Sequence, residues 1–281
     1  MTRTAPLPSP LRLFVLAAAA RTYPRCVWLF RHRTWLLQET LLPMLGVAAS
    51  VYVYKAMSAP PEYMGYVILG AAMTTFWMNV LWSMGAHLYW ERDSGNLEIY
   101  IMSPAPMMGV LAGMALGGLT TTFVRAMAIL LTGALVFDVP FRPSSWPMLV
   151  LVFSLTMASL YGLGMMFASI FLLFGREAWH TVNLLQEPVY LMTGMNFPVK
   201  VLGAMVGYAI PGIALLLPLT AGMDAMRQVL FPANDSGLLP VWTEVGILAA
   251  LAVVFLALAR RTLAYMEHKA RADGKLTVKW Q

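Results

Sequence analysis

Charged side chains lie inside stretches of this sequence that are otherwise apolar. Arg125 lies near the middle of a long apolar run, and Glu187 and Glu244 lie in two later stretches. An arginine at the centre of a membrane helix costs about 2.5–3.5 kcal/mol to insert, so we expect its side chain to face protein or water. Either glutamate could be its partner, and the sequence does not choose between them. Such a pair would belong to a substrate path or a gate, or it would only fix helix packing. Alternatively, the third run begins later and Arg125 lies near the outer surface, where it needs no partner in another span.

The sequence offers little else for catalysis or metal binding. Cys26 is the only cysteine, which excludes a disulfide within the chain. The sequence lacks the Gly-x-x-x-x-Gly-Lys-[Ser/Thr] phosphate loop, so the chain cannot hydrolyse ATP by that route. We therefore predict no catalytic residue and no metal ligand. The four dispersed histidines, which lack the spacing of metal ligands, are His32, His87, His180 and His268.

A short polar stretch, YWERDSGNLEIYIMSPAP at 89–106, separates two long apolar runs. We predict a helix over 94–103 on the inner membrane surface, with Asp93 or Ser94 as its N-cap and the following prolines as its end. Its apolar face would rest on the protein, while its charged residues would remain available to a cytoplasmic partner or only to solvent. The apolar face contains Leu97, Tyr100 and Ile101, and the charged residues are Glu91, Arg92, Asp93 and Glu98.

The composition indicates an integral membrane protein. The 281 residues are 59% hydrophobic and 11% charged, with a mean hydropathy of +0.69, whereas about a quarter of a soluble domain is charged. A span needs roughly 20 apolar residues, and a single span in lipid is helical. We therefore predict an all-α, polytopic fold. Apolar runs occur at 36–55, 64–89, 105–137, 147–174 and 241–259, and a broken apolar region occurs at 181–230.

Basic residues cluster towards the two ends of the chain. The positive-inside rule then places both termini in the cytoplasm, which requires an even number of spans. Five clear runs and one crossing within the broken region give six, and the prolines of that region leave a re-entrant helical segment on the outer side. The clustering also argues against nucleic acid as the partner of a chain with net charge +6. The terminal basic residues are Arg3, Arg12, Arg21, Arg25, Arg31, Arg33, Arg260, Arg261, Lys269, Arg271, Lys275 and Lys279, and the outer ones are Lys55, Arg142, Lys200 and Arg227.

The first apolar segment is predicted to form a cationic amphipathic helix in the inner interface. Ser9 would cap this helix, Pro10 would occupy its first position, and Pro24 would break it. A separate glycine repeat at Gly109, Gly113 and Gly117 permits close helix approach. The repeat could serve packing within the chain or contact between two subunits.

Three short motifs resemble those of one transporter family. Glu91-Arg92-x-x-Gly95-x-Leu97-Glu98, followed by Ser103-Pro104, resembles the cytoplasmic loop between the second and third spans of ABC-2 type transporter permeases. The chain departs from this motif at Asn96, where the family commonly has threonine. Thr193-Gly194-x-x-Phe197-Pro198 resembles a segment at the outer end of the fifth span, and Pro218-Leu219-Thr220 with Ala225-Met226-Arg227 resembles the stretch before the sixth. The resemblance extends across residues 30–260.

The resemblance implies a domain organisation. It implies a cytoplasmic tail and interfacial helix at 1–34, a six-span transmembrane domain at 35–260 and a basic tail at 261–281. Within that domain, 91–104 would form a coupling helix that docks on a separate ATPase, and 198–235 would form the outer re-entrant segment and gate. The implied ATPase contacts are Glu91, Arg92, Asp93, Gly95, Asn96, Leu97 and Glu98, and the path or gate residues are Arg125, Glu187, Pro188, Phe197 and Pro198.

The resemblance also implies a function, namely the membrane subunit of an ATP-driven exporter rather than an enzyme by itself. Two cytoplasmic ABC ATPase subunits would bind ATP and Mg, while this chain binds no cofactor. It would pair with a second copy or a homologue in the inner (plasma) membrane, in contact with lipid. Its substrate would be a lipid, a lipid-linked glycan, a drug or a peptide. The alternative is an autonomous proton-coupled carrier or membrane-embedded enzyme that uses Arg125, Glu187 and Glu244.

Overall fold

The computed structural model describes residues 9–85, 90–91, 94–174, 177–232 and 237–272. Within these ranges the regular secondary structure is entirely helical, in agreement with the predicted all-α fold. The helices are α1 (Pro10–Arg31), α2 (Arg33–Ala56), α3 (Pro61–Met78) with a π-helical continuation (Asn79–Gly85), α4 (Asn96–Met102), α5 (Met107–Val136), α6 (Trp146–Phe174), α7 (Glu177–Met192), α8 (Val199–Val206), α9 (Ala209–Ala214), α10 (Pro218–Leu230) and α11 (Val241–Ala272).

Five helices of the described chain are long and apolar enough to cross a membrane. Four of them coincide with predicted apolar runs, namely α3 with its continuation, α5, α6 and α11. The fifth is α1, which the sequence analysis assigned to the interface, whereas the predicted run 36–55 falls in α2 and is not among the five. The count of six spans and the re-entrant segment therefore stay predictions.

Helix α3 occupies the centre of the molecule. Its sequence is apolar on all sides, and a helix of this kind is stable only when it is surrounded. Most of its residues are buried, including Ile68, Phe76 and Trp77. Helix α3 packs on α2, α5 and α10, while α6 contacts its π-helical continuation and pairs extensively with α11 on the other side.

The glycine repeat of α5 packs against α1 of the same chain. A Cβ atom at Gly113 would lie 2.5 Å from the carbonyl oxygen of Ala18, and one at Gly117 would lie 3.2 Å from the Cβ of Arg25. The two helices therefore run in the same direction and approach as closely as their backbones allow. The sequence allowed the repeat to serve packing within the chain or contact between subunits, and the described structure shows packing within the chain.

Helix α1 is longer than the sequence predicts. Ser9 occupies the N-cap position and Pro10 the first helical position, as predicted, although the Ser9 side chain makes no capping hydrogen bond. The helix continues through Pro24 to Arg31, so the predicted break at Pro24 is wrong. A proline inside a helix removes one N–H donor, and α1 tolerates this loss.

Helix α2 follows the second half of α5. The Thr132 hydroxyl lies 3.8 Å from the Met44 sulfur, and the Lys55 ammonium lies 5.8 Å from the centre of the Phe137 ring. Because α1 contacts the first half of α5, the two N-terminal helices follow α5 in succession from one end to the other.

The polar stretch after α3 forms a short surface helix, α4, over Asn96–Met102 rather than 94–103. Its N-cap is Gly95, whose φ of 78° lies in the left-handed region that favours glycine. The predicted cap at Ser94 is wrong, because its hydroxyl donates backwards to the carbonyl oxygen of Glu91 at 3.2 Å. Asp93, the other predicted cap, lies outside the described residues. The helix ends at Met102 and is followed by extended backbone at Ser103.

The predicted broken region divides into four helices. Helix α7 is followed by two short helices, α8 and α9, that pack on each other, and then by α10. Almost every residue of α10 is buried, and the helix packs against α3, α6 and α11. Arg227, counted above among the outer basic residues, is thus buried inside the protein, and its side of the membrane stays a prediction.

Candidate functional site

A half-open cavity of about 880 Å³ lies between the N-terminal helices and the α3–α5 core. It is lined by residues of α1, α2, α3 and its π-helical continuation, and α5, and by the residues just before α4. Five charged side chains line this cavity, which we call the inner cavity after the predicted orientation: Arg21, Arg25, Glu39, Glu91 and Arg125.

Arg125 forms an ion pair in this cavity, with a partner that the sequence analysis did not consider. Its Nη1 atom lies 2.8 Å from Oε2 of Glu39 on α2, and its Nη2 atom lies 3.3 Å from the Thr122 hydroxyl. The predicted choice between Glu187 and Glu244 is therefore wrong. Glu187 is exposed on α7, and Glu244 is buried at the start of α11 beside Gln228. The structure thus does not bring together the three residues of the alternative carrier or enzyme.

Glu91 connects the residues before α4 to α1. Its carboxylate accepts a hydrogen bond from Arg21, with which it forms an ion pair, and a second at 3.3 Å from the Tyr100 hydroxyl. The Arg21 guanidinium also lies 5.6 Å from the centre of the Tyr100 ring. Burial raises the pKa of Tyr100, and the opposing effect of Arg21 is smaller. The raised pKa keeps the Tyr100 hydroxyl protonated, so it acts as a neutral donor. Glu91 is buried, so the expectation that it remains available to a cytoplasmic partner is wrong.

The π-helical continuation of α3 forms one wall of the inner cavity. Asn79, Trp82 and Ser83 come from this segment. Asn79 is buried, and its side-chain oxygen accepts a hydrogen bond of 3.1 Å from the Tyr161 hydroxyl of α6. π-Helical segments are rare and occur frequently at functional sites.

Helix α4 has two faces of different character. Leu97 is buried, which confirms that this face rests on the protein. On the other side Ile99 and Met102 are 61% and 78% exposed, and Asn96 is exposed as well. Ile99 and Met102 are three residues apart and therefore neighbours on the helix surface. Of the other predicted ATPase contacts, Arg92 and Asp93 lie outside the described residues, and the side chain of Glu98 is not described.

A second polar centre, which we call the outer cluster after the same predicted orientation, joins two of the sequence motifs. Arg227 is fully buried, and its guanidinium donates hydrogen bonds of 2.6–3.5 Å to the carbonyl oxygens of Gly194, Met195, Phe197 and Tyr66. Its guanidinium also lies 5.4 Å from the centre of the Tyr66 ring. The motif around Phe197 and Pro198 is therefore held by the motif that ends in Arg227.

The outer cluster also contains two buried carboxylates. The Gln228 amide nitrogen lies 3.4 Å from Oδ2 of Asp224 and 3.1 Å from Oε2 of Glu244, and Asp224 also accepts the N–H of Leu238 at 2.6 Å. Asp224 and Glu244 are both fully buried. Thus α10 and α11 are joined by polar contacts inside the protein.

The predicted path or gate residues do not form one site. Arg125 lines the inner cavity, Phe197 and Pro198 belong to the loop that Arg227 holds, and Glu187 and Pro188 are exposed on α7. Sequence reasoning missed Glu39 and the role of Arg21. Glu39 is an isolated charge in an apolar run, and this was a signal that it needs a partner. Arg21 was counted among the terminal basic residues that set the orientation, so its pairing was not considered.

Comparisons with known proteins identify a transport permease as a relative. No family model matches the chain. Over 201 residues, covering 69% of this chain and 72% of the relative, it is 24% identical to the inner membrane transport permease YadH of Escherichia coli strain K12. The YadH proteins of Escherichia coli O157:H7 and Shigella flexneri match to the same extent. Together with the five helices able to span a membrane, this similarity supports a multi-pass transport permease of the inner membrane.

Proposed function

We propose that this chain is the membrane subunit of an ATP-driven ABC exporter. Its six spans would be α2, α3 with its π-helical continuation, α5, α6, α7 and α11, with both termini in the cytoplasm. Two copies, or one copy and a homologue, would form the pathway, and two cytoplasmic ATPase subunits would bind ATP and Mg. The similarity to a named transport permease supports the transport role. The ATPase, the pairing and the outward direction come from the resemblance of the motifs.

The observation that carries the proposal is the two-faced α4 helix. Leu97 anchors the helix on the protein, while Ile99 and Met102 place apolar side chains on its exposed face. Exposed apolar side chains that lie together often mark a contact with a partner protein. We assign the ATPase contact to this face, including Asn96, and treat the buried Glu91 and Leu97 as anchors of the helix.

The contacts of α4 give a route from the ATPase to the transmembrane helices. A displacement of α4 would act on Glu91 through Tyr100, and then on Arg21 of α1 through the ion pair. Helix α1 is packed on the glycine repeat of α5 without space to absorb the movement. The displacement would therefore reach the inner cavity. At the other end, α8, α9 and the loop held by Arg227 would form the outer gate.

Co-purification tests the proposal. The full-length chain, isolated from its native host in a mild detergent, is expected to carry a nucleotide-binding subunit in equal copy number by mass spectrometry. Substitution of Met102→Glu should reduce recovery of that subunit at least tenfold, since it places a charge in the apolar contact.

A control variant, a second variant in α4 and the outcomes that would contradict the proposal complete this test. Met57→Glu introduces the same charge at another exposed methionine, in the turn after α2, and should leave recovery unchanged. Glu98→Arg, which reverses a charge in the first turn of α4, should also weaken docking while the chain still inserts into the membrane. Recovery of the chain without any ATPase, in detergent and in lipid nanodiscs, would overturn the proposal. Equal recovery with Met102→Glu would overturn the role of α4.

A further inference from the structure

Among the residues that the structure describes, the inner cavity is lined by one more positive than negative side chain. Three arginines and two glutamates line it. Arg21 is paired with Glu91, and Arg125 is paired with Glu39. Arg25 forms no ion pair or hydrogen bond with any residue that the structure describes. Charged groups that are withdrawn from water are normally paired, and the Arg25 guanidinium, which is partly buried, lacks an anion among the described lining residues.

Arg25 is held in place by the fold. The alkyl part of its side chain lies against Gly117 of α5, where any larger residue would collide with it at 3.2 Å. Arg21 and Arg125 lie close enough to interact with it electrostatically, so the three guanidinium groups form one positive region. A guanidinium presents several N–H donors in a plane and suits bidentate recognition of a phosphate or carboxylate group.

The rest of the lining is mostly apolar and suited to contact with an apolar chain, with Asn79, Ser83 and Thr121 as its polar members. Trp28, Trp82 and Trp90 line the cavity, together with Met78 and Met114. The volume of about 880 Å³ lies within the range of about 300–1,000 Å³ that is typical of small-molecule sites, and it far exceeds the needs of a free inorganic anion.

The cavity is also long enough for a lipid headgroup and the first part of its acyl chain. It extends along α5 from Met114 to Arg125, which corresponds to roughly 16 Å at 1.5 Å per residue. Trp90 and Glu91, immediately before the surface helix α4, line it as well. A ligand could therefore place its anionic group among the arginines and its apolar part against the tryptophans.

We propose that the inner cavity binds an anionic lipid whose only charged group is one phosphodiester, with Arg25 as the residue that selects for the negative charge. This inference rests on the proposed function, because it names the class of substrate that the exporter would accept at its inner side. Arg25 binds the phosphodiester, while the two ion pairs, Arg21–Glu91 and Arg125–Glu39, keep the remaining charges of the cavity balanced. A single anionic group restores the balance, whereas a zwitterionic lipid would bring an additional cation into the positive region.

A binding experiment on the full-length chain tests this inference. The detergent-solubilised protein is titrated with dioctanoyl phosphatidylglycerol, with dioctanoyl phosphatidylcholine and with inorganic phosphate, and bound molecules are counted by native mass spectrometry. Phosphatidylglycerol is expected to bind at least tenfold more tightly than phosphatidylcholine. Arg25→Gln should abolish this preference, and Arg25→Lys, which keeps the charge, should retain most of it.

The control variant is Arg12→Gln, which removes the same charge from an exposed position on the same helix. An equal loss of preference in Arg12→Gln and Arg25→Gln would overturn the inference, because it would indicate general attraction to a basic protein. Displacement of phosphatidylglycerol by inorganic phosphate at similar concentrations would also overturn it, since the anion alone would then be recognised. No ATPase is present in this assay, so a negative result here leaves the co-purification result standing, and the reverse holds as well.

Discussion

The inner cavity and the outer cluster both shield arginine side chains from bulk water, but they pair these side chains with different groups. Arg227 in the outer cluster is fully buried and directs its N–H groups to main-chain carbonyl oxygens. In the inner cavity Arg125 is 13% exposed and is paired with Glu39, which is 43% exposed. Arg25 lies in the same open space.

The difference shows where the chain uses charge to fix a loop and where, on the inference above, charge remains for a ligand. A carbonyl oxygen is always available from the main chain, so an arginine that binds carbonyls can fix a loop without needing a second charge. The loop at 194–197 has little regular structure of its own, and Arg227 takes the place of the missing helical hydrogen bonds. The inner cavity is half open, and its three arginines are partly exposed.

The largest effect is expected from Arg227→Met. This change leaves several carbonyl oxygens without donors, and we expect it to destabilise the fold by about 3 kcal/mol or more, because each buried acceptor left unpaired costs about 1–3 kcal/mol. Thermal unfolding of the purified protein measures the loss. Arg142→Met is the matched control, because Arg142 is exposed nearby and only its backbone N–H bonds to Leu230. Equal melting temperatures for the two variants would contradict the structural role of Arg227.

A smaller effect is expected from Gly113→Leu. The new side chain would meet the Ala18 carbonyl and the Arg21 Cβ at 2.5 and 2.7 Å, so α1 must move away from α5. Overpacking of this kind costs about 1–3 kcal/mol, and it should also increase proteolysis within α1. Gly46→Leu places the same side chain in α2 where no atom lies within 4 Å. The contact between α1 and α5 would be refuted if both variants were equally stable and equally resistant.

The smallest effect on stability is expected from Glu39→Gln. The Arg125–Glu39 pair is partly exposed, and such pairs contribute only about 0.2–1 kcal/mol. The melting temperature should therefore change little, while retention of phosphatidylglycerol should increase because a second arginine has lost its carboxylate. Glu62→Gln, in the first turn of α3, should change neither quantity. A large loss of stability in Glu39→Gln would show that the inner pair is as structural as the outer cluster.

Most of the helices could be predicted from the sequence because they depend on local composition. The runs of α3, α5, α6 and α11 are apolar over enough residues to require a helix in lipid. The surface helix was also predicted, with an error of one or two residues at each end. Its cap was not predicted correctly, because Asp and Ser are the usual N-caps, whereas the backbone at Gly95 has a positive φ that favours glycine.

The partners of the charged residues could not be predicted, because they depend on contacts between distant parts of the chain. Glu39 and Arg125 are 86 residues apart, and Arg21 and Glu91 are 70 residues apart. Counting charges placed Arg227 on the outer side, but such a count does not indicate which side chains the protein buries. The two motifs that Arg227 joins were recognised separately, and nothing in their sequences states that one binds the other.

The burial of α10 has a consequence for how the protein is made. Helix α10 is enclosed by α3, α6 and α11, and α11 is the last of these to leave the ribosome because it begins at Val241. Until α11 is synthesised, Asp224 and Gln228 lack the partner residue Glu244. The outer cluster is therefore completed only after α11 has been made, and a nascent chain that stops before Val241 would keep an open polar surface on which quality-control proteases can act.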